Sequence, residues 1–289
     1  MRSIRVVAVS SALLILVGAC GQESPTGSNA LGVITLAADK TEQAGTARMS
    51  MDMEMDGPTG LVTSTAEGVF DMASKRGQMT MEMDMAEAPA GTPDMGQIEA
   101  VFDGTVIYMK MPALSAQIPG GKPWISFDLQ EAGEQLGLDL GALMQSGTSD
   151  PTQTLQYLRG ASGDVETVGD EEVRGVSATH YRASVSFAKI VEQAPEDVRE
   201  AVEATVEQLE EWVGSDVMPI DVWIDSEGRM VRQMQSFEYV AGPATGTSIT
   251  MTMEMYDFGV DVDVDVPAAS DVTDIGELME QMEKPGSAP

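Results

Sequence analysis

Methionine alternates with polar residues in three separate segments of the chain. These segments are 49–56 (MSMDMEMD), 79–85 (MTMEMDM) and 250–255 (TMTMEM). Successive side chains of a β-strand point to opposite faces, so the methionines of one segment share one side and the acids and hydroxyl residues share the other. A helix would scatter the same methionines around its circumference. The pattern therefore predicts three strands with a thioether face.

The same period of two, bounded by turn residues, predicts further strands of an antiparallel sheet. The segments are 61–73, 98–102, 105–111, 124–127, 165–171, 176–187, 217–224, 230–240 and 247–258. Asp103-Gly104 predicts a two-residue type I′ turn. Residues 260–266 alternate valine with aspartate and are interpreted as a solvated edge strand, because Asp261, Asp263 and Asp265 lack the glycine and spacing of a calcium loop.

Helical periodicity occurs in three places. Leu31 to Lys40 predicts a short helix with Leu31, Ile34 and Ala38 on one side, and 129–159 predicts short helices that lie across the apolar face of the sheet. Residues 196–213 carry the strongest helical pattern, with an apolar stripe and a terminating Gly214. The proline-containing segment 86–96 is predicted to be a loop and a candidate flap.

The N-terminus has the pattern of an export signal. Met1 to Arg5 is basic, Val6 to Val17 is apolar, and the run ends in Gly18-Ala19-Cys20. This ending resembles the bacterial lipobox, which implies cleavage after residue 19 and lipidation of Cys20. An ordinary secretory signal with a chance cysteine is the alternative. Residues 20–30 are then the lipidated cysteine and a flexible tether, 31–275 one domain, and 276–289 a C-terminal tail.

The charge balance narrows the class of partner. The chain of 289 residues has 16 basic and 47 acidic residues and a formal net charge of −31. Such a charge repels nucleic acid, so a polynucleotide partner is excluded. The acids are interpreted as the solvated face of the sheet, which keeps an apolar-rich protein soluble.

Several strand and turn patterns resemble one lipoprotein family. They are Ile107-Tyr108-Met109-Lys110 with Trp124, the segment 175–181 (GVSATHY), the segment 219–225 (PIDVWID) and Tyr256-Asp257-Phe258-Gly259. Together with the lipobox, they are similar to the LppX/LprG lipoproteins, which share an architecture with the LolA carriers. The resemblance implies an α+β fold with a curved antiparallel sheet, a half-barrel whose concave face is covered by helices. It also implies a cavity for the acyl chains of a lipid or glycolipid.

The thioether face is the predicted binding site. Methionine is flexible and polarizable, so it suits a surface that moulds itself around variable apolar shapes. The residues assigned to a lipid cavity are Met49, Met51, Met53, Met79, Met81, Met83, Met251 and Met253. The alternative is that these side chains fill a closed core. We therefore expect a lipid-anchored protein on the extracytoplasmic face of the cell membrane that binds a lipid, with an envelope transporter as a further partner.

The sequence offers weaker signals for metal binding and for catalysis. Repeated Met-x-Met also suits Cu(I), although the chain offers no thiolate besides Cys20 and only one histidine, His180. His180 is interpreted as a hydrogen-bonded structural residue, and no triad, phosphate loop or zinc motif accompanies it. Neither an enzyme activity nor a cofactor is expected. A sensor or scaffold lipoprotein without a lipid ligand is the third possibility.

Overall fold

The structure, a computed structural model, describes residues 28–58, 60–85, 96–115, 118, 121–129, 165–194, 196, 199–276 and 278. Its strands are β1 (Thr46–Gly57), β2 (Gly60–Asp71), β3 (Arg76–Met85), β4 (Ile98–Asp103), β5 (Val106–Lys110), β6 (Trp124–Asp128), β7 (Glu166–Val173), β8 (Val176–Ser186), β9 (Val217–Asp225), β10 (Met230–Tyr239), β11 (Thr247–Tyr256) and β12 (Val272–Asp274). The helices are α1 (Ser28–Gln43), α2 (Pro112–Ser115), α3 (Phe187–Gln193) and α4 (Arg199–Val213), with a 3-10 turn at Ala269–Asp271.

The strands form one open twelve-stranded sheet in the order β12-β6-β5-β4-β3-β2-β1-β11-β10-β9-β8-β7. Every neighbouring pair is antiparallel except β12 and β6, which are parallel. Strands β1 to β6 make one meander and β7 to β11 a second, and the β1–β11 pairing joins them. The predicted α+β fold with a large antiparallel sheet is confirmed.

Two glycines let β2 and β3 approach each other closely. A Cβ atom on Gly68 would overlap the carbonyl oxygen of Gln78, and one on Gly77 would lie 2.7 Å from the carbonyl oxygen of Val69. Glycine inside a strand commonly marks such a close backbone approach or a tight bend. Any side chain at these positions would push the two strands apart.

Helix α1 packs on one face of the sheet, which we call the inner face; the opposite face is the outer face. Ile34 and Ala38 of α1 are fully buried against a core that includes Ile220, Val222 and Met255. Thr41 donates a hydrogen bond to the carbonyl of Ala37 (2.6 Å) and accepts one from the backbone N–H of Met230 (2.8 Å). The helix is thereby fixed over the Met230 end of β10.

The period of two predicted the strands well, and helical periodicity predicted the helices less well. Helix α1 extends beyond the predicted 31–40 at both ends, and residue 196, the predicted start of α4 (Arg199–Val213), lies in a turn. Gly214 follows α4 with a φ of 69°, as predicted for its terminus. Helix α3 was not predicted, because Phe187 and its neighbours continue the alternation of β8.

Two predictions about local structure were wrong. Residues 260–266 alternate valine with aspartate but form no strand, because the neighbouring β1 is already paired on both sides, with β2 and β11. In the β4–β5 hairpin Asp103 pairs with Val106, so the loop residues are Gly104 and Thr105. Only Gly104 has a positive φ (65°), which excludes the type I′ turn expected at Asp103-Gly104.

Several predictions fall outside the described residues. They are the signal with Cys20 and the predicted tether up to residue 27, the loop at 86–95, the helices between 130 and 159, and the tail from residue 279. The end of the predicted tether, residues 28–30, is instead the first turn of α1. Among the described residues, no helix is both long and apolar enough to span a bilayer.

Candidate functional site

Methionines face each other across the β1–β11 junction. Met49 pairs with Met255, Met51 with Met253, and Met53 with Met251, so three thioether pairs follow one another along the inner face. Directly opposed residues of antiparallel strands place their Cβ atoms about 4.5–5.5 Å apart. We call these three pairs the Met ladder.

Small side chains separate β1 from the next methionine strand. On β2, Gly68, Ala66 and Ser64 lie between the methionines of β1 and those of β3, because each pairs with one methionine on either side. The flanking pairs are Met49 and Met79, Met51 and Met81, and Met53 and Met83. Ala66 and Ser64 are buried while the flanking methionines beyond Met49 are half-buried. We call this strip of small residues with its two rows of methionines the Met groove.

The dimensions of the Met groove follow from sheet geometry. Strands β1 and β3 are two strand spacings apart, about 9–10 Å, and Ser64 and Gly68 are about 14 Å apart along β2. The side chains on both walls are unbranched and can adjust their rotamers. The backbone spacing therefore leaves room for an extended hydrocarbon chain once the methionine side chains move apart, because Ser64 and Ala66 are covered in this structure.

The eight methionines assigned to the site differ in their surroundings. Met49 is only 5% exposed and belongs to the core beneath α1, while Met79 and Met253 are half-buried and pack against the rim of that core. The other five lie farther from α1: Met51, Met53, Met81 and Met83 are half-buried, and Met251 is 37% exposed. Burial therefore decreases along the strands away from α1.

Helix α4 covers the Tyr239 end of β10, opposite the Met230 end on which α1 packs. The Trp212 ring meets Tyr239 edge-on with ring centroids 6.4 Å apart, and Phe237 meets Tyr239 at 5.5 Å. The carbonyl of Trp212 accepts hydrogen bonds from the N–H groups of Val240 (2.7 Å) and Ala241 (3.1 Å). Helix α1 lies at the Met230 end of the same strand, so the two helices bracket the middle of β10 and the methionines beside it.

The outer face of the same strands is polar and cross-linked. His180 is buried, stacks on Trp223 with ring centroids 4.1 Å apart, and lies between Asp221 (2.6 Å from Nε2) and Glu171 (3.0 Å from Nδ1). The indole N–H of Trp223 donates to Glu171 (2.9 Å). The hydrogen bond from Trp223 has the largest effect on the pKa of Glu171 and the hydrogen bond with His180 the next largest, and both hold that pKa below its ordinary value. His180 is thus the hydrogen-bonded structural residue that its sequence context indicated.

Glu254 is the centre of a second outer-face cluster. Arg232 donates two hydrogen bonds to it, at 2.8 and 2.6 Å, and Arg174 donates another while also contacting Ser50 Oγ at 2.9 Å. Burial of Glu254 opposes ionisation, but the hydrogen bonds from Arg232 and Arg174 outweigh it, so the pKa of Glu254 lies below its ordinary value. The Glu254 cluster lies on the opposite side of the sheet from the Met49–Met255 pair.

Two cavities on the outer face differ in their lining. One of about 630 Å³ lies over β2 to β4 and is lined by Thr65, Glu67, Gln78, Thr80, Glu82 and Glu99, among others. Another of about 500 Å³ lies between Arg174 and Arg229, and its lining is half apolar, with Val173, Val176, Val231, Met255 and Phe258 among the lining residues. Across the part of the chain that the structure describes, no group of three or more His, Cys, Asp or Glu residues has the arrangement of a metal site.

Comparisons with known proteins found similarity by sequence and by structure. No family model matches the chain. A relative from Streptomyces griseus, described as an uncharacterized 31.2 kDa protein in the rplA-rplJ intergenic region, is 29% identical over 247 residues, or 84% of this chain and 78% of that protein.

Two solved structures are similar to this chain over most of its length. LprF from Mycobacterium bovis is similar with a TM-score of 0.44 and 14% identity, over 85% of this chain and 100% of that chain. The lipoprotein LppX from Mycobacterium tuberculosis is similar with a TM-score of 0.47 and 12% identity, over 82% of this chain and 98% of that chain. This chain resembles the LppX/LprG lipoproteins in fold.

Two glutamines of the sheet were missed in the sequence. Gln233 pairs with Met253, and Gln235 pairs with Met251, so both lie on the inner face beside the Met ladder. The alternation over β10 (MVRQMQSFEY) does not show that they face inward, because an irregularity between Met230 and Arg232 shifts the alternation by one residue. The signal was present as two glutamines in alternate positions, but their face could not be assigned.

Proposed function

We propose that this protein is a membrane-anchored extracytoplasmic lipoprotein that binds, and transfers, a lipid or glycolipid along the Met groove. One observation carries the proposal. The methionines beyond α1 stay partly exposed on a face whose small β2 residues are already buried. Large apolar surfaces that stay accessible on folded proteins mark interaction sites. The resemblance to the LppX/LprG lipoproteins implies the same kind of ligand.

The physical chemistry of the groove supports an acyl chain as ligand. Each buried methylene contributes about 0.8 kcal/mol, so a long chain binds without any polar recognition. The unbranched thioether side chains adapt to chains of different shape at small cost in strain. Binding is then passive: the chain enters between β1 and β3, replaces water against Met51 and Met81, and leaves by the same route.

The N-terminal sequence supports a membrane location for this exchange. The segment ending at Cys20 has the lipobox pattern, and acylation of that cysteine would hold the domain close to the bilayer from which it draws its ligand. Two acyl chains give stable anchoring, whereas one is marginal. An envelope transporter that supplies or receives the lipid is the partner that this arrangement would serve.

Native mass spectrometry of the mature protein, released from membranes in mild detergent, tests the proposal. We expect extra mass that matches a lipid and disappears on organic extraction. Met81→Asp and Met253→Asp should lose this mass and keep their fold, while Met81→Leu, the matched control, should retain it. An unloaded wild-type protein that takes up no lipid would overturn the proposal. Loss of membrane association in Cys20→Ser tests the anchor separately.

The Met ladder supports a second candidate, a Cu(I)-binding envelope protein. Three facing pairs of thioethers offer the soft ligands that Cu(I) selects. The same mass spectra, recorded with added Cu(I), distinguish the two. Stoichiometric uptake of copper by a lipid-free protein, lost in Met51→Leu, would favour metal handling over lipid binding.

A further inference from the structure

Gln233 places a polar atom in an apolar part of the inner face. Its side chain is only 7% exposed, and its amide oxygen is fully buried without a hydrogen-bond partner among the described residues. Its two directly paired neighbours are apolar: Met253 on β11 and Val222 on β9. A buried amide oxygen without a donor destabilises a fold, so a sequence that retains one calls for a reason.

The position of Gln233 relates it to the Met groove. Gln233 is in the same row across the sheet as Met253, Met51, Ala66 and Met81, because these residues pair successively. The row lies just beyond the core that α1 covers, and Met253 packs against the rim of that core. A ligand lying over this row therefore lies next to Gln233, and a change of side-chain rotamer would bring its buried amide oxygen to the ligand.

A second amide extends the polar strip. Gln235, half-buried, lies two residues farther along β10 on the same face and pairs with Met251. The two side chains are about 7 Å apart along the strand. The β10 side of the Met ladder thus carries two amides, whereas the β2 side carries Ala66 and Gly68.

We propose that Gln233 accepts a hydrogen bond from a hydroxyl or amide N–H of the bound lipid, and that the ligand is therefore a lipid with such a donor. This inference rests on the proposed function and deepens it. A carbonyl oxygen can only accept, so a fully esterified lipid or a plain hydrocarbon leaves Gln233 unsatisfied. Sites built to bond a ligand hydroxyl reject analogues that lack it, because their own buried polar group then stays unpaired.

Two lipids that differ only in the donor test the inference. They are 1,2-dipalmitoylglycerol, with a free hydroxyl, and its 3-O-methyl ether, and their dissociation constants are measured with the delipidated mature protein by native mass spectrometry. We expect the wild-type protein to bind the free hydroxyl form about tenfold more tightly, the value of one hydrogen bond. Gln233→Met should remove that preference and leave the affinity for the ether unchanged.

Gln78→Met is the matched control, because Gln78 is an exposed glutamine on the outer face of β3. It should keep the tenfold preference. Urea denaturation guards against misfolding: Gln233→Met should be at least as stable as the wild-type protein, since it removes an unpaired buried group.

The outcomes separate the inference from the function it builds on. If the wild-type protein binds both lipids equally and Gln233→Met changes neither constant, the inference is overturned and lipid binding stands. If the wild-type protein binds neither lipid, the proposed function fails and the inference fails with it. A preference that survives in Gln233→Met also overturns the assignment of Gln233 as the acceptor.

Discussion

The first and third pairs of the Met ladder have the same chemistry and different environments. Met49 and Met255 are 5% and 2% exposed beneath α1, whereas Met53 is half-buried and Met251 is 37% exposed. Both pairs are directly opposed in one antiparallel register on one face of the sheet. The difference therefore comes from what lies over the strands, and one ladder contributes both to a packed core and to the candidate site.

The outer face of the sheet behind the first pair also differs from the outer face behind the third pair. Behind Met49 and Met255, Glu254 is held by Arg174 and Arg232. Behind Met53 and Met251, the outer positions are taken by Asp52, Glu54 and the threonines that pair with them, Thr252 and Thr250. The α1 end of the ladder is thus fixed from both faces of the sheet, which suits a rigid end from which a more adaptable end extends.

The largest expected difference between the pairs is in stability. Met49→Asp places an unpaired carboxylate in the core and should lower the free energy of unfolding by about 4 kcal/mol or more. Met53→Asp keeps its carboxylate near solvent and should cost about 1 kcal/mol or less. Urea denaturation followed by tryptophan fluorescence measures both, with Met49→Leu as the size-matched control. Equal losses for the two variants would contradict the comparison.

A smaller difference is expected in chemical reactivity. Oxidation of methionine to the sulfoxide follows exposure of the sulfur. On brief treatment with hydrogen peroxide, Met251 should be oxidised severalfold faster than Met255, which lies on the same strand. Peptide mass spectrometry gives both rates from one sample. Saturating lipid should slow oxidation of Met251 and leave Met255 unchanged; slow, equal rates in the lipid-free protein would place Met251 in a closed core.

The smallest effect concerns the outer face at the α1 end. Because the pKa of Glu254 is lower in the folded protein than its ordinary value of 4.5, its ionisation stabilises the fold above that pH. This contribution is lost as the pH falls from 4.5 through the folded pKa. The free energy of unfolding should therefore fall less steeply below pH 4.5 in Glu254→Gln than in the wild-type protein. Parallel pH profiles would exclude Glu254 as a contributor.

The sequence predicted the faces of the sheet but not where α1 lies on them. Alternation assigns Met49 and Met53 to one face with equal weight, and nothing in the alternation distinguishes a residue under α1 from one beyond it. Ile34 and Ala38 predicted that α1 has an apolar side, yet the docking point depends on the Thr41–Met230 hydrogen bond between segments far apart in the chain. Tertiary packing of this kind leaves no periodic signal.

Two other features of the sheet could not be predicted from alternation: the face of Gln233 and the structure of residues 260–266. One shift in register within β10 moves Gln233 to the inner face, and a single extra residue is invisible to a count of alternating positions. Residues 260–266 carry a strand pattern without a strand partner, because pairing requires a free sheet edge as well as a suitable sequence. A pattern describes what a segment can form, and the neighbours determine what it does form.

The β1–β11 junction has a consequence for how the protein is made. It joins strands separated by about 200 residues, whereas nearly all other pairings of the sheet link consecutive strands. Non-local pairings form slowly, because a long loop must be closed before the contact is gained. We therefore expect each meander to fold first and the Met ladder to form last. A chain that still lacks its C-terminal strands has no complete Met ladder, so under the proposed function lipid could bind only after β11 had been added.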